Sequence, residues 1–280
     1  MKIGISYWSV EGGLANTRPI EEAMKEAKAA GFDGIELAIG TSGVLTTQTD
    51  QATCESYRKT AERIGINVKT LAAGLSWGCS PTHPDPATRK KAIQQHADAL
   101  QRAAWLGCEA MLMVPGAITI PWDDTYPPVK YRDAVQWATE AATQLAPVAE
   151  KVGVDLCLEN VWNGMFYSPI EFAAFIDSVP SPRVGAYFDV GNVLGYHQHP
   201  QHWIEILGKR IRRVHLKDFK KSIGNITGFC DLLAGDVPWK ATMEALRSIG
   251  YDKTLVAEMM PPDATLLART KAAMDKIVKM

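Results

Sequence analysis

Two hundred and eighty residues, 46% hydrophobic and 22% charged, carry ample apolar material for a large core. Thirty Lys+Arg against 31 Asp+Glu leave a net charge of -1, which argues against a nucleic-acid partner held by bulk electrostatics. With 22 Gly and 16 Pro, a disordered or collagen-like chain is not expected either. No secretory signal is read at the N-terminus, and no apolar run approaches the roughly 20 residues that span a bilayer. The five cysteines are scattered and never in CxxC spacing, so reduced thiols in a cytoplasmic protein are expected.

Short apolar runs recur along the chain, each followed by a longer amphipathic stretch. The runs are Ile3–Trp8, Gly34–Ala38, Val68–Ala73, Ala110–Val114, Val154–Glu159, Val184–Asp189, Arg213–Lys217 and Thr254–Glu258. Most are continuously apolar rather than alternating, as strands covered on both faces should be. The stretches between them are Ile20–Ala30, Thr49–Ile64, Pro86–Leu106, Lys130–Lys151, Pro169–Ser178, Gln201–Leu207, Trp239–Ile249 and Ala264–Val278. Gly31, Gly65, Gly107, Gly153 and Gly250 stand where a left-handed residue closes a helix. Ser168 before Pro169 reads as a helix N-cap. Eight strand–helix units of about 35 residues predict an α/β fold, one (β/α)8 TIM barrel over residues 1–280. The alternative, an open doubly wound sheet, lacks its Gly-rich phosphate loop, because Ser9-Val10-Glu11-Gly12-Gly13 follows the first run.

Catalytic groups of a barrel sit where strands end. The last four runs carry Glu159, Asp189, His215 and Glu258 at or near their ends. Any one of these carboxylates alone reads as a helix cap or an ion-pair partner, and a lone histidine as a hydrogen-bonded core residue. Four on consecutive strands, all at one end, read instead as a shared metal site. Three carboxylates and an imidazole suit Mn²⁺ first, with Mg²⁺, Co²⁺ and Zn²⁺ as alternatives.

The runs Leu158-Glu159-Asn160, Phe188-Asp189-Val190-Gly191-Asn192, Val214-His215-Leu216-Lys217-Asp218 and Val256-Ala257-Glu258-Met259 resemble the sugar-phosphate isomerase/epimerase superfamily of xylose-isomerase-like barrels. Lys2-Ile3-Gly4-Ile5-Ser6 and Gly31-Phe32-Asp33-Gly34-Ile35-Glu36-Leu37 fit it too, so the resemblance spans nearly the whole chain. It implies metal ligands at Glu159, Asp189, His215 and Glu258, and an acid/base pair at Glu159 and Glu258. It further implies C3 epimerisation of a ketose or ketose phosphate through a metal-stabilised enediolate. An inosose dehydratase-like lyase and an aldose–ketose isomerase of the hydroxypyruvate type remain open on the same site. Nuclease relatives need further histidine ligands, and the corresponding positions here carry none. The resemblance also implies a homo-oligomer, dimer or tetramer, and no membrane partner.

Around the four, several residues are candidate substrate contacts. Free-ketose 3-epimerases carry a histidine where this chain has Asn192, which leaves the phosphorylation state of the substrate open. Lys217 is a candidate contact to a sugar oxygen or phosphate, and Lys220 and Lys221 extend a basic cluster. Glu36 would bond a sugar hydroxyl or support a ligand, Trp8 would wall the pocket, and His197 would reach over the substrate. His197, His199 and His202 fit a second metal cluster only loosely. Trp162 and the loop after it would shield the site from water, while Gly40–Gln48 and Gly116–Pro128 would form a lid or a subunit contact.

Overall fold

The computed structural model describes residues 1–280. Eight parallel strands close into a barrel in ring order β1-β10-β7-β6-β5-β4-β3-β2. They are β1 (Ile3–Ser6), β2 (Gly34–Ala38), β3 (Thr70–Ala73), β4 (Ala110–Met113), β5 (Asp155–Glu159), β6 (Val184–Asp189), β7 (Ile211–Leu216) and β10 (Leu255–Ala257). A two-stranded antiparallel hairpin, β8 (Asp218–Phe219) with β9 (Phe229–Cys230), projects from the connection after β7. Every run read as a strand from its apolar character is a strand of the barrel.

The helices are α1 (Ile20–Ala29), α2 (Gln51–Ile64), α3 (Pro86–Trp105), α4 (Tyr131–Val152), α5 (Pro169–Asp177), α6 (Val190–Gly195), α7 (Pro200–Leu207), α8 (Trp239–Ser248) and α9 (Leu266–Ile277). Gly31, Gly65, Gly107, Gly153 and Gly250 all have positive φ, between 74° and 91°. They end their helices in the conformation that costs glycine least. The start of α5 departs from expectation: Ser168 occupies the N-cap position, but its side chain makes no capping bond. Tyr7 and Trp8 also leave the strand. Ser6 Oγ accepts from Trp8 N at 3.3 Å and turns the chain into a short 3-10 segment, Tyr7–Ser9.

Side chains of a strand alternate in direction, and the register of β6 against β7 decides which ones face inward. Ala186 lies opposite Ile211 and Tyr187 opposite Arg213, so Arg212 is an extra, bulged residue. Beyond the bulge, Asp189 pairs with His215. Arg213, His215 and Lys217 then share one face, from the bottom of the barrel to its mouth. No helix is long and apolar enough to cross a membrane. All five cysteines are unpaired.

Candidate metal centre and sugar site

Glu159 ends β5, Asp189 ends β6, His215 lies one residue before the end of β7, and Glu258 follows β10 directly. One ligand atom from each lies within 4.8 Å of all the others, and all four residues are buried. His215 Nδ1 stands 2.9 Å from Glu258 Oε2, 3.9 Å from Glu159 Oε1 and 4.0 Å from Asp189 Oδ2. Those four atoms are buried and make no hydrogen bond. Leaving one buried acceptor unpaired costs about 1–3 kcal/mol, and more when it is charged. Four such atoms converging on one point are what a cation site needs, so the residues present fit a bound divalent ion.

The surrounding bonds hold each ligand in place. Asp189 does two jobs: Oδ1 accepts from Asn192 N at 2.7 Å, capping α6, while Oδ2 faces the cluster. Asn160 ties β5 to β6, accepting from Asp189 N at 2.8 Å and donating Nδ2 to Asp189 O at 2.9 Å. His215 donates Nε2–H to Glu36 Oε1 at 2.7 Å, and the Tyr187 hydroxyl donates to Glu36 Oε2. That bond turns Nδ1 toward the cluster; burial lowers the His215 pKa, but Glu36, Glu159 and Glu258 outweigh it and hold the imidazole well above its usual range.

The electrostatics are those of a crowded, dry pocket. Burial pushes the Glu159 and Asp189 carboxyls above the usual range. Burial pushes Glu258 upward too, but Lys217 and His215 outweigh it and hold this carboxyl below the usual range. Lys217 Nζ lies 3.0 Å from Glu258 Oε1 and 3.3 Å from Asp189 Oδ2. Three carboxylates outnumber the Lys217 and His215 cations, and the net negative charge left over is what a divalent cation would offset.

A cavity of about 450 Å³ opens above the cluster. Glu159, Glu258, Lys217, Asn192 and Trp8 all line it, as does Trp162. Asn192 is partly committed, since its Nδ2 donates to Asn160 O at 2.9 Å. Two expected substrate contacts fall elsewhere. Glu36 is buried behind His215 with both oxygens engaged by His215 and Tyr187, and it does not line the cavity. His197 does not line the cavity; it is exposed on the turn after α6 with φ 58°. Lys220 and Lys221 are exposed as well and outside the cavity. His199 and His202 stand at the start of α7, their rings 5.1 Å apart.

Glycine makes two of these approaches feasible. A Cβ on Gly191 would sit 2.5 Å from Lys217 Cβ, so only glycine lets α6 lie against the end of β7. A Cβ on Gly195 would sit 1.8 Å from Trp162 Cζ2, where the indole walls the cavity. Asp218 went unrecognised within its lysine-rich surroundings. It is fully buried and accepts from Phe219 N, Leu233 N, Val237 N and Trp239 Nε1 at 2.9–3.2 Å. An aspartate followed by aromatic and glycine-rich loop sequence was the one available signal.

Residues 24–277 match the model of the xylose isomerase-like TIM barrel family. A D-psicose 3-epimerase of Ruminiclostridium cellulolyticum is 28% identical over 273 residues, covering 92% of this chain and 83% of that protein. The solved structure of D-psicose 3-epimerase with D-tagatose from Clostridium cellulolyticum H10 superposes with a TM-score of 0.80 at 22% identity, covering 99% and 98% of the two chains. A solved L-ribulose 3-epimerase gives 0.79 at 18% identity, covering 99% and 94%. At such identities the two structural likenesses speak for the fold.

Proposed function

Because this chain belongs to the xylose isomerase-like TIM barrel family, we propose that it is a divalent-cation-dependent sugar epimerase that inverts C3 of a ketose. The observation that carries this reading is the set of four buried, converging ligand atoms that make no hydrogen bond, two of whose residues line the mouth cavity. Glu159, Asp189, His215 and Glu258 would hold the cation, Mn²⁺ first by the hardness of the donor set. When bound, it would supply positive charge beside the carbonyl oxygen as negative charge develops there.

The rest falls to the chain's own side chains. Glu159 and Glu258 come from strands separated by β6 and β7 around the ring, so they approach a bound sugar from different sides. One takes the proton from C3; the electron pair of that C–H bond passes into the C2–C3 bond as the carbonyl oxygen gains charge. The other carboxyl returns a proton to the opposite face of C3, which inverts the centre. In the reverse direction the two exchange roles. Lys217, with its ammonium beside Asp189 and Glu258, is placed to donate to a sugar oxygen. Trp8 and Trp162 shield the reacting carbons from water. Aldose–ketose isomerisation and dehydration would begin with a similar deprotonation, and the D-psicose 3-epimerase similarity supports epimerisation over both.

The test is solvent-proton exchange. Protein loaded with Mn²⁺ should place deuterium at C3 of a ketohexose in D₂O, read by NMR. Glu159→Gln and Glu258→Gln should fold and lower exchange by about 10²–10⁴-fold. Full exchange in either variant would remove that residue from the proton-transfer pair.

A further inference from the structure

The cavity that holds Glu159 and Glu258 is chemically two-ended. Its floor carries the two glutamates and Lys217, while its outer wall is built from Trp8, Trp77, Trp122, Ile226, Phe229 and Met260. Trp122 is 58% exposed and Met260 42%, so this wall stands open to solvent around the mouth. The Trp122 ring packs edge-on against Trp77 at 4.8 Å between centroids. An exposed apolar rim continuous with a buried polar floor marks a binding surface, not a random scatter of surface hydrophobes.

Size and charge narrow the occupant. About 450 Å³ lies in the range of cavities that enclose drug-sized ligands, more than one six-carbon sugar fills. A phosphate at the outer end would meet no cation. Lys217 is the one basic residue lining the cavity, and its ammonium is 3.0 Å from Glu258 on the floor. Lys220 and Lys221 point to solvent elsewhere. Free sugar hydroxyls at that end would meet mostly ring faces and thioether, with few acceptors, and would gain little there over water. Aromatic rings there favour another apolar group of similar size.

We propose that the substrate is a keto-sugar bearing an apolar, aryl-sized substituent on the end remote from the reacting carbons, and that Trp77, Trp122 and Met260 hold this substituent. The inference rests on the epimerase reading for the sugar end alone; the outer subsite is argued from the wall itself.

Three probes separate the alternatives: D-fructose, D-fructose 6-phosphate and 6-O-benzyl-D-fructose. Calorimetric titration of the metal-free protein should show the benzyl ether binding about tenfold or more tighter than D-fructose, and the phosphate no tighter. Trp122→Ala and Met260→Ala should each shrink the benzyl-to-fructose affinity ratio at least about threefold, and Trp122→Phe should retain most of it. With Mn²⁺ present, the same preference should appear in KM for deuterium exchange. Equal binding of the benzyl ether and fructose, tighter binding of the phosphate, or a ratio untouched by both alanine variants would each overturn the subsite. So would sedimentation showing a dimer whose dissociation exposes Trp122. If no probe exchanges deuterium yet the benzyl preference and its loss in the variants are seen, the subsite stands and the epimerase reading falls.

Discussion

Glu36 on β2 and His215 on β7 meet across the barrel axis, the carboxylate oxygen 2.7 Å from Nε2 of the imidazole. Both are fully buried, and Tyr187 closes the other side of the carboxylate. Burial and the neighbouring Glu36 push the Tyr187 hydroxyl well above its usual range, so it stays a donor. The arrangement fixes which nitrogen faces the cluster, as carboxylates behind metal-bound histidines generally do. Glu36→Gln keeps the volume but offers an amide to two donors. Metal affinity measured by calorimetry should fall about 10–100-fold with the fold intact. Unchanged affinity would mean that packing alone orients His215.

The Asp218 carboxylate is a second buried anchor, and it serves the roof of the site. Its four donors come from the hairpin strand, the following loop and the start of α8. This holds Phe229 and Cys230 over the cavity, which they line. Asp218→Asn puts an NH₂ group where an oxygen now accepts. Stability should drop by about 3 kcal/mol, seen in urea unfolding, with KM for the sugar raised as the roof loosens. A variant with the wild-type midpoint and KM would deny Asp218 that role.

These two anchors show where sequence reasoning ends. The barrel was legible because strands buried on both faces must be apolar throughout, and because glycines mark helix ends by a backbone requirement. Glu159, Asp189, His215 and Glu258 were legible for a related reason: each interrupts an apolar run at the same end. Glu36 also interrupts such a run, yet its partner lies 179 residues away, and only the closed ring brings them together. Helix α6 was missed because Val190–Gly195 carries two glycines in six residues, a composition poor in helix propensity. The Asp189 cap stabilises its first turn locally, and the close approach of Lys217, which is not local in sequence, holds it against the end of β7. His197 was read as a substrate contact from its place after a strand; the intervening helix α6 leaves it exposed on the following turn, outside the cavity lining.

Gly195 tests how tightly α6 and the cavity wall are joined. Trp162 donates Nε1–H to Asn192 O at 2.9 Å and packs on Phe219 and Phe229, each 5.3 Å away between ring centroids. A methyl group on residue 195 would overlap the indole at 1.8 Å. Gly195→Ala should therefore cost about 1–3 kcal/mol by overpacking and tilt the indole out of its pocket. Thermal unfolding would register the first effect and a red shift of tryptophan emission the second. Wild-type melting together with wild-type emission would place Trp162 off the α6 surface.

His96 offers a stability handle remote from the metal ligands. It is fully buried on α3, with Nδ1 2.8 Å from Ala92 O and Nε2 3.3 Å from Ser76 Oγ. Ser76 also donates to Val114 O at 2.7 Å, and the adjacent Trp77 lines the cavity. The imidazole thus braces the 3-10 segment Gly74–Trp77, which carries one wall of the site. Burial lowers its pKa from 6.5 to about 4, against a smaller upward pull from the bond to Ala92. Between those values the unfolded chain binds a proton that the folded chain refuses, so stability falls as pH falls. The loss from this one group should approach roughly 3 kcal/mol by pH 4. His96→Gln removes the titration and keeps a hydrogen-bonding side chain. It should be less stable than wild type at pH 7, yet lose less on going to pH 5. Urea unfolding at pH 7, 6 and 5 checks this, because parallel pH slopes for the two proteins would exclude His96 as the titrating group.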